Sequence, residues 1–175
     1  SFKPSVREVV DDYVVETYQI DTYYRKFYYY MDLTGLPENF EELRDLIENI
    51  YTNKYLANIT AKWNQILTDD VYQNAKFKRQ QDFYKEFVRP SMAGGRTFVI
   101  ISDGMRYECA KELMERFEMD EKCEAKIEPV ISVLPSETTL GMASTLPHEE
   151  IIVDGDMNIT VDDMPCNHKI EERQR

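Results

Sequence analysis

Asp103 stands directly after the run Thr97-Phe98-Val99-Ile100-Ile101 and directly before Gly104. A short, continuous, β-branched run reads as a central strand buried on both faces. A carboxylate at the C-terminal end of such a strand lies where open parallel sheets bind ligands, and it can hold a divalent cation. Gly104 lets the backbone turn closely there. The competing reading is that Asp103, or Ser102, caps the helix that follows. Thr138 is the second candidate, in the polar turn Pro135-Ser136-Glu137-Thr138-Thr139 between an extended segment and a helix. A hydroxyl at a helix start can face a phosphate held by backbone N–H groups, and metal coordination is one way to lower its pKa and make it a nucleophile. Here N-capping by Ser136, Thr138 or Thr139 competes. Arg106 is the third candidate. Its fork matches two phosphate oxygens, and it matches a carboxylate on a helix surface equally well.

Other reactive types are sparse. The histidines are His148, after Pro147, and His168, in a polar stretch. No G-x-S-x-G elbow accompanies them, which weighs against a serine triad. Cys109, Cys123 and Cys166 are odd in number and form no CxxC pair, so neither a disulfide framework nor a zinc site is indicated, and a reducing compartment is the simplest inference. Cys109, four residues after Met105 on a helical face, reads as core.

The elements that must position these residues fall into two parts. Residues 5–93 read as helical. Val6, Val9, Val10, Tyr13 and Val14 paint one face, continued by Ile20, Tyr23, Phe27 and Tyr30 until Gly35 and Pro37. A second helix carries Phe40, Leu43, Ile47 and Ile50, and a third carries Leu56, Ile59, Trp63 and Ile66. Asp69 and Asp70 suit a turn or cap, and a fourth helix carries Phe77, Phe83, Phe87 and Val88 before Pro90 and Gly94-Gly95. The tyrosine-rich stretch here reads as packing at helix interfaces, with a base-stacking platform as the other reading. After Gly95 the pattern is a strand at 97–101, a helix with Met105, Cys109, Leu113 and Phe117, an extended segment 123–133, and a short helix near Thr138 to Ser144. A hairpin built from Ile151-Ile152-Val153 and residues 157–161 follows, and the last charged segment starts another helix. A strand-helix-strand order calls for a parallel sheet covered by helices. The fold class expected is therefore α followed by α/β, a helical region over 1–95 and the beginning of a parallel-sheet domain over 96–175.

The 175 residues are enough for a sizeable core, hiding about two-thirds of the extended-chain surface. The net charge of −12 argues against broad electrostatic binding of nucleic acid. A local excess of +4 lies between Lys76 and Arg96, where Lys76, Lys78, Arg79, Lys85, Arg89 and Arg96 face Asp82 and Glu86. It reads as a solvated helix face, with direct DNA contact as the weaker alternative. No apolar run approaches the roughly 20 residues that span a bilayer, and no signal-peptide pattern opens the chain. Without an initial Met, the chain reads as a piece of something longer.

Two segments together carry a resemblance. Phe98-Val99-Ile100-Ile101-Ser102-Asp103-Gly104-Met105-Arg106-Tyr107-Glu108 resembles the opening motif of the PglZ domain, and Leu134-Pro135-Ser136-Glu137-Thr138-Thr139-Leu140-Gly141-Met142-Ala143-Ser144-Thr145-Leu146-Pro147-His148 resembles its second motif, in order and at fitting spacing. The preceding stretch with Gln81-Asp82-Phe83-Tyr84 looks like the region before that domain. PglZ proteins belong to BREX phage-defence systems. The resemblance implies an alkaline-phosphatase-like α/β core, truncated here, and a cytoplasmic, metal-dependent phosphatase or phosphodiesterase with a phosphate-ester or nucleic-acid substrate. It implies Asp103 as a metal ligand, Thr138 as nucleophile and metal ligand, and divalent Zn, Mn or Mg, two per complete domain. Other BREX proteins are the implied partners, and a non-catalytic scaffold of the defence complex is the alternative. The family more often has Ala-Leu at Gly104-Met105 and Tyr at Glu137, so Glu137 adds negative charge beside the nucleophile. Two histidines are too few for the usual two-metal set. Further Asp and His ligands are therefore expected beyond Arg175, and the chain alone is expected to be inactive.

Overall fold

The computed structural model describes residues 5–35, 37–66 and 77–166; Asp69, Asp70, Lys76, His168 and the final charged segment lie outside them. Packing divides the chain into two units, Ser1–Lys76 with Met105–Ile127, and Phe77–Gly104 with Glu128–Arg175.

The first unit is helical. Helix α1 (Val6–Asp12) opens with a capping box: the Ser5 hydroxyl accepts the Glu8 N–H at 3.2 Å, and the Glu8 carboxylate takes the Ser5 N–H at 2.7 Å. These bonds satisfy donors that a helix start otherwise leaves orphaned. The helix widens into a π-helical turn, Tyr13–Thr17, and continues as α2 (Tyr18–Leu33). Gly35, at φ +66°, takes the left-handed conformation just beyond its end. The helices expected around Phe40 and Leu56 form one continuous helical path: α3 (Glu41–Asn49), a π-helical segment Ile50–Leu56, and α4 (Ala57–Ile66). Residues 41–66 contain no Gly or Pro, so nothing in the sequence breaks the path. Helix α6 (Tyr107–Glu118) packs on α2 in the same unit.

A polar hub organises that packing. Asp21 is only 4% exposed. Its carboxylate accepts the hydroxyls of Tyr13 and Tyr51, each at 2.6 Å, and of Tyr55 at 3.3 Å. Arg106 Nη2 lies 3.4 Å from it, and Arg106 Nε lies 2.8 Å from Glu108, which is 1% exposed. Glu108 receives no hydrogen bond of good geometry, so this ion pair is its stabilisation among the described residues. Burial, then the Asp21 carboxylate, pushes the Tyr13 hydroxyl's pKa up, which keeps it a donor. The Tyr107 hydroxyl donates to the Val14 carbonyl, inside the π-helical turn, at 3.3 Å, and its ring meets Tyr13 and Tyr18. Glu48 accepts from Tyr24 and Tyr28, and the Tyr24 and Tyr51 rings stack at 3.6 Å. Tyr13, Tyr24, Tyr28, Tyr51 and Tyr55 are thus used internally, whereas Tyr23, Tyr29 and Tyr30 are exposed.

The second unit begins with a parallel bridge: Gln80 N–H donates to the Ile131 carbonyl and Ile131 N–H to the Lys78 carbonyl, both at 2.8 Å. The fourth expected helix forms as an unbroken helical path, a 3₁₀ turn Gln80–Asp82 running into a π-helical turn Tyr84–Val88 and then α5 (Arg89–Met92), with Phe77 ahead of it and Pro90 inside it. Helix α7 (Thr138–Ser144) and the strands β1 (Ile151–Val153), β2 (Ile159–Val161) and β3 (Met164–Pro165) follow, in the order β1-β2-β3. The core is Leu140 and Ala143 of α7 against Ile159, Val161 and Cys166, with Val133, Leu146 and Ile151 around it. Asp154 ties the β1-β2 loop by accepting the N–H groups of Asp156 and Asn158 at 2.9 and 2.8 Å.

The parallel sheet expected from 97–101 and 123–133 is present among the described residues only as the bridge between Arg79 and Ile131, and the antiparallel β1-β2 pair is the expected hairpin. The short connections between these strands can join only antiparallel neighbours. Segment 97–101 forms no strand among the described residues, and Phe98 and Ile100 are 81% and 90% exposed. A strand buried on both faces needs a neighbour on each side, and none of the described residues supplies one. Among the described residues no helix is long and apolar enough to cross a membrane.

Replacing Arg106 by Met leaves two buried carboxylates short of a cation, and it is expected to lower unfolding stability by about 3 kcal/mol in urea titration. Lys26 and Arg25, both 2.6 Å from Glu112, hold its carboxyl below the ordinary value of 4.5. A lowered folded pKa gives stability that is fully present above 4.5 and is lost as pH falls through the folded value. Denaturation midpoints should therefore drop below that pH, and Glu112→Gln should show a smaller drop than the unaltered chain.

Candidate functional site

Asp103 and Thr138, 35 positions apart in sequence, line one cleft of the second unit. Its volume is about 400 Å³, and its other lining residues include Gln80, Ser102, Gly104, Ser136, Glu137 and Gly141. Gly104 stands at φ +67°, so the turn after Asp103 uses the left-handed region that glycine enters at least cost. A side chain there would meet nothing within 4 Å, so the requirement is conformational and not one of space. Thr138 is the first residue of α7. Its neighbours Thr139 and Leu140 point into the core, and Thr138 itself remains exposed.

The capping readings of these residues are not realised. The residue before α7 is Glu137, with no side-chain cap bond, and the residue before α6 is Arg106, likewise without one. Among the described residues neither the Asp103 carboxylate nor the Thr138 hydroxyl has a hydrogen-bond or ion-pair partner. Both are thus exposed oxygen donors facing one space. Among the described residues, two carboxylates, Asp103 and Glu137, line that space, and no Lys, Arg or His does. An anionic phosphoryl group would therefore meet a negative field unless a cation neutralised it.

The other candidates sit elsewhere. Arg106 belongs to the first unit, where Asp21, Glu108 and the Tyr51 hydroxyl surround its guanidinium. The Tyr51 hydroxyl foremost, then the carboxylates, raise its pKa further. His148 does not line the cleft; its Nδ1 lies 2.7 Å from the Leu146 carbonyl, the contact of a ring whose Nδ1 carries the proton. Lys78 pairs with Glu128 at 2.9 Å and lies over the Phe87 ring, and Lys85 pairs with Glu149 at 3.6 Å, so part of the basic stretch is neutralised locally. Cys109, Cys123 and Cys166 form no disulfide, and among the described residues no group of three or more His, Cys, Asp or Glu could hold a metal ion.

Sequence reasoning missed Gln80 and Gly141. Gln80 Oε1 accepts the Val133 N–H at 3.2 Å, and its Nε2 donates to the Gly141 carbonyl at 3.0 Å. The one available signal was Gly141 itself, a glycine inside a helix pattern, which marks a close approach by something else.

The family described as "BREX system PglZ alkaline phosphatase-like domain" matches residues 83–174, just over half of the chain. The chain is 40% identical over 144 residues to an alkaline phosphatase-like protein PglZ of Bacillus cereus (strain H3081.97), covering 80% of this chain and 17% of that protein. It is 39% identical over 118 residues to an alkaline phosphatase-like protein BrxZ of Escherichia coli O9:H4 (strain HS), covering 63% of this chain and 14% of that protein. It therefore spans less than a fifth of the length of these curated relatives. No solved structure is significantly similar. With both motifs on one cleft, and this match over them, the chain belongs to the BREX system PglZ alkaline phosphatase-like domain family.

Proposed function

We propose that this chain contributes part of the active site of a metal-dependent phosphoryl-ester hydrolase, a phosphatase or phosphodiesterase working in a BREX-type phage-defence system. Asp103 is a metal ligand, and Thr138 is both nucleophile and ligand. The observation that carries this reading is the shared cleft, with a carboxylate and a hydroxyl that are unpartnered among the described residues. Among the described residues two carboxylates and no cationic side chain line it, so an anionic ester there calls for a cation.

The donors fit such an ion in kind. Asp103 and Thr138 are hard oxygen ligands, suited to Mg²⁺ or Mn²⁺ and acceptable to Zn²⁺. They fit as a partial set, and the complete protein supplies the remaining ligands together with the parallel sheet in which 97–101 is a strand. When bound, a divalent ion polarises a phosphoryl oxygen and lowers the pKa of a coordinated hydroxyl. Thr138 Oγ1 attacks phosphorus and loses its proton, the departing oxygen takes up a proton and leaves as the alcohol, and water then frees the threonine by releasing phosphate from a monoester or a phosphomonoester from a diester. Glu137, beside the nucleophile, repels a dianionic monoester more than a monoanionic diester.

A second reading, a scaffold that docks other BREX proteins, is favoured by an apolar groove of about 540 Å³ in the helical unit, lined by Ile20, Tyr23, Phe27, Ile47 and Ile50.

Hydrolysis of a chromogenic phosphodiester and monoester by the full-length protein, with Zn²⁺, Mn²⁺ or Mg²⁺ and then with chelator, separates the two. Thr138→Ala and Asp103→Ala are each expected to lower kcat by about 1,000-fold or more without unfolding the protein. Asp103→Ala should also weaken metal binding in calorimetry. Absence of turnover with every metal would leave the scaffold reading, and turnover equal to the parent's in both variants would overturn the roles given to Asp103 and Thr138.

A further inference from the structure

Gln80 precedes the family match at residues 83–174, yet it lines the cleft that holds Asp103 and Thr138. Its backbone is fixed first: the Gln80 N–H donates to the Ile131 carbonyl at 2.8 Å. From that anchor the side chain reaches two further places. Oε1 accepts the Val133 N–H at 3.2 Å, and Nε2 donates to the Gly141 carbonyl at 3.0 Å. One amide, both of whose ends are engaged, thus ties the strand-like segment before the second motif to the helix that carries Thr138.

That helix needs an external hold. It has seven residues and no side-chain cap at its start, and so short a helix is marginal unless tertiary contacts fix it. Its core-facing residues Leu140 and Ala143 fix one face. Gly141, between them, lies against the Gln80 amide: a Cβ at position 141 would come within 3.2 Å of Gln80 Nε2. Glycine at 141 sacrifices helix propensity, and the close approach of this amide is what it allows.

We propose that Gln80 is a positioning residue for the nucleophile. Its amide sets where α7 sits against residues 131–133, and so where the Thr138 hydroxyl sits in the cleft. This rests on the catalytic reading of Thr138 given above. Gln80 acts through the helix and touches no reacting atom, so its loss should lower kcat more than it raises KM.

The test uses the full-length protein. Gln80→Ala is expected to lower kcat about 10- to 100-fold with KM changed about twofold at most. Amide hydrogen exchange over 139–145 should quicken about tenfold or more, while that of 107–118 stays unchanged. Gln80→Glu gives a readout that bulk stability does not. A neutral carboxyl keeps one donor for the Gly141 carbonyl and one acceptor for the Val133 N–H, and an ionised one lacks the donor. The ratio of Gln80→Glu to parent activity should therefore rise as pH falls. Gly141→Ala should lower kcat in the same sense, and in the double variant with Gln80→Ala it should add little. If Thr138→Ala abolishes turnover while Gln80→Ala keeps the parent's kcat and exchange pattern, the proposal is overturned and the catalytic reading stands. If the parent shows no turnover, the catalytic reading falls. Exchange then decides Gln80 alone: unchanged exchange at 139–145 overturns its hold on α7, and faster exchange upholds it.

Discussion

A carboxylate that is 4% exposed cannot remain in a helical core without donors, and the helical unit is arranged around supplying them to Asp21. Tyr13 comes from the π-helical turn after α1, Tyr51 and Tyr55 from the π-helical segment between α3 and α4, and Arg106 from the residue before α6. Their donors converge on Asp21 from separate parts of the chain, and each must hold its backbone in register to reach it. Tyrosine suits this because one side chain buries an aromatic surface and still carries a donor at its tip. Two of the three tyrosines lie in one π-helical segment and the third in another, where the wider turn changes the facing of the residues that follow.

The second unit solves a smaller version of the same problem with an amide in place of a carboxylate. Gln80 satisfies a backbone N–H of one segment and a backbone carbonyl of another. A carboxylate could accept the first bond but not donate the second, whereas a glutamine can do both. The apolar contacts of Leu140 and Ala143 supply burial energy without fixing α7 at one angle, and directional bonds add that orientation.

The legible parts of the sequence were those with a strong local signal. The first helix, the helix with Cys109 and Leu113, the short helix from Thr138 to Ser144, and the hairpin at Ile151 and Ile159 all follow from period and turn chemistry. The two motifs were legible because their residue types and order are specific, and the cleft does bring Asp103 and Thr138 together. What was not legible depended on partners distant in sequence. Gln80 is one of two adjacent glutamines in a polar stretch, and only the fold shows that its amide meets Val133 and Gly141. For Arg106 the favoured reading was a structural pairing with a carboxylate, which the ion pairs bear out, and the buried Asp21 and Glu108 that serve as partners are what the sequence could not place. The run 97–101 has the composition of a buried strand, but composition states only what environment a segment suits, and pairing requires neighbours.

On the catalytic reading, this difference matters for how the site is held. The Thr138 side rests on a helix with a packed core behind it and a glutamine clamp across it. The Asp103 side rests on Gly104 in a left-handed turn and on a segment that forms no backbone ladder among the described residues. Reacting groups act only when held within a fraction of an ångström of productive geometry, and residues on hydrogen-bonded strands are held better than residues on unpaired chain. The Thr138 side is therefore held by contacts among these residues, whereas the Asp103 side lacks a backbone ladder among them. Pairing that segment, as in the proposed parallel sheet, would cover Phe98 and Ile100 and restrain the turn that carries Asp103.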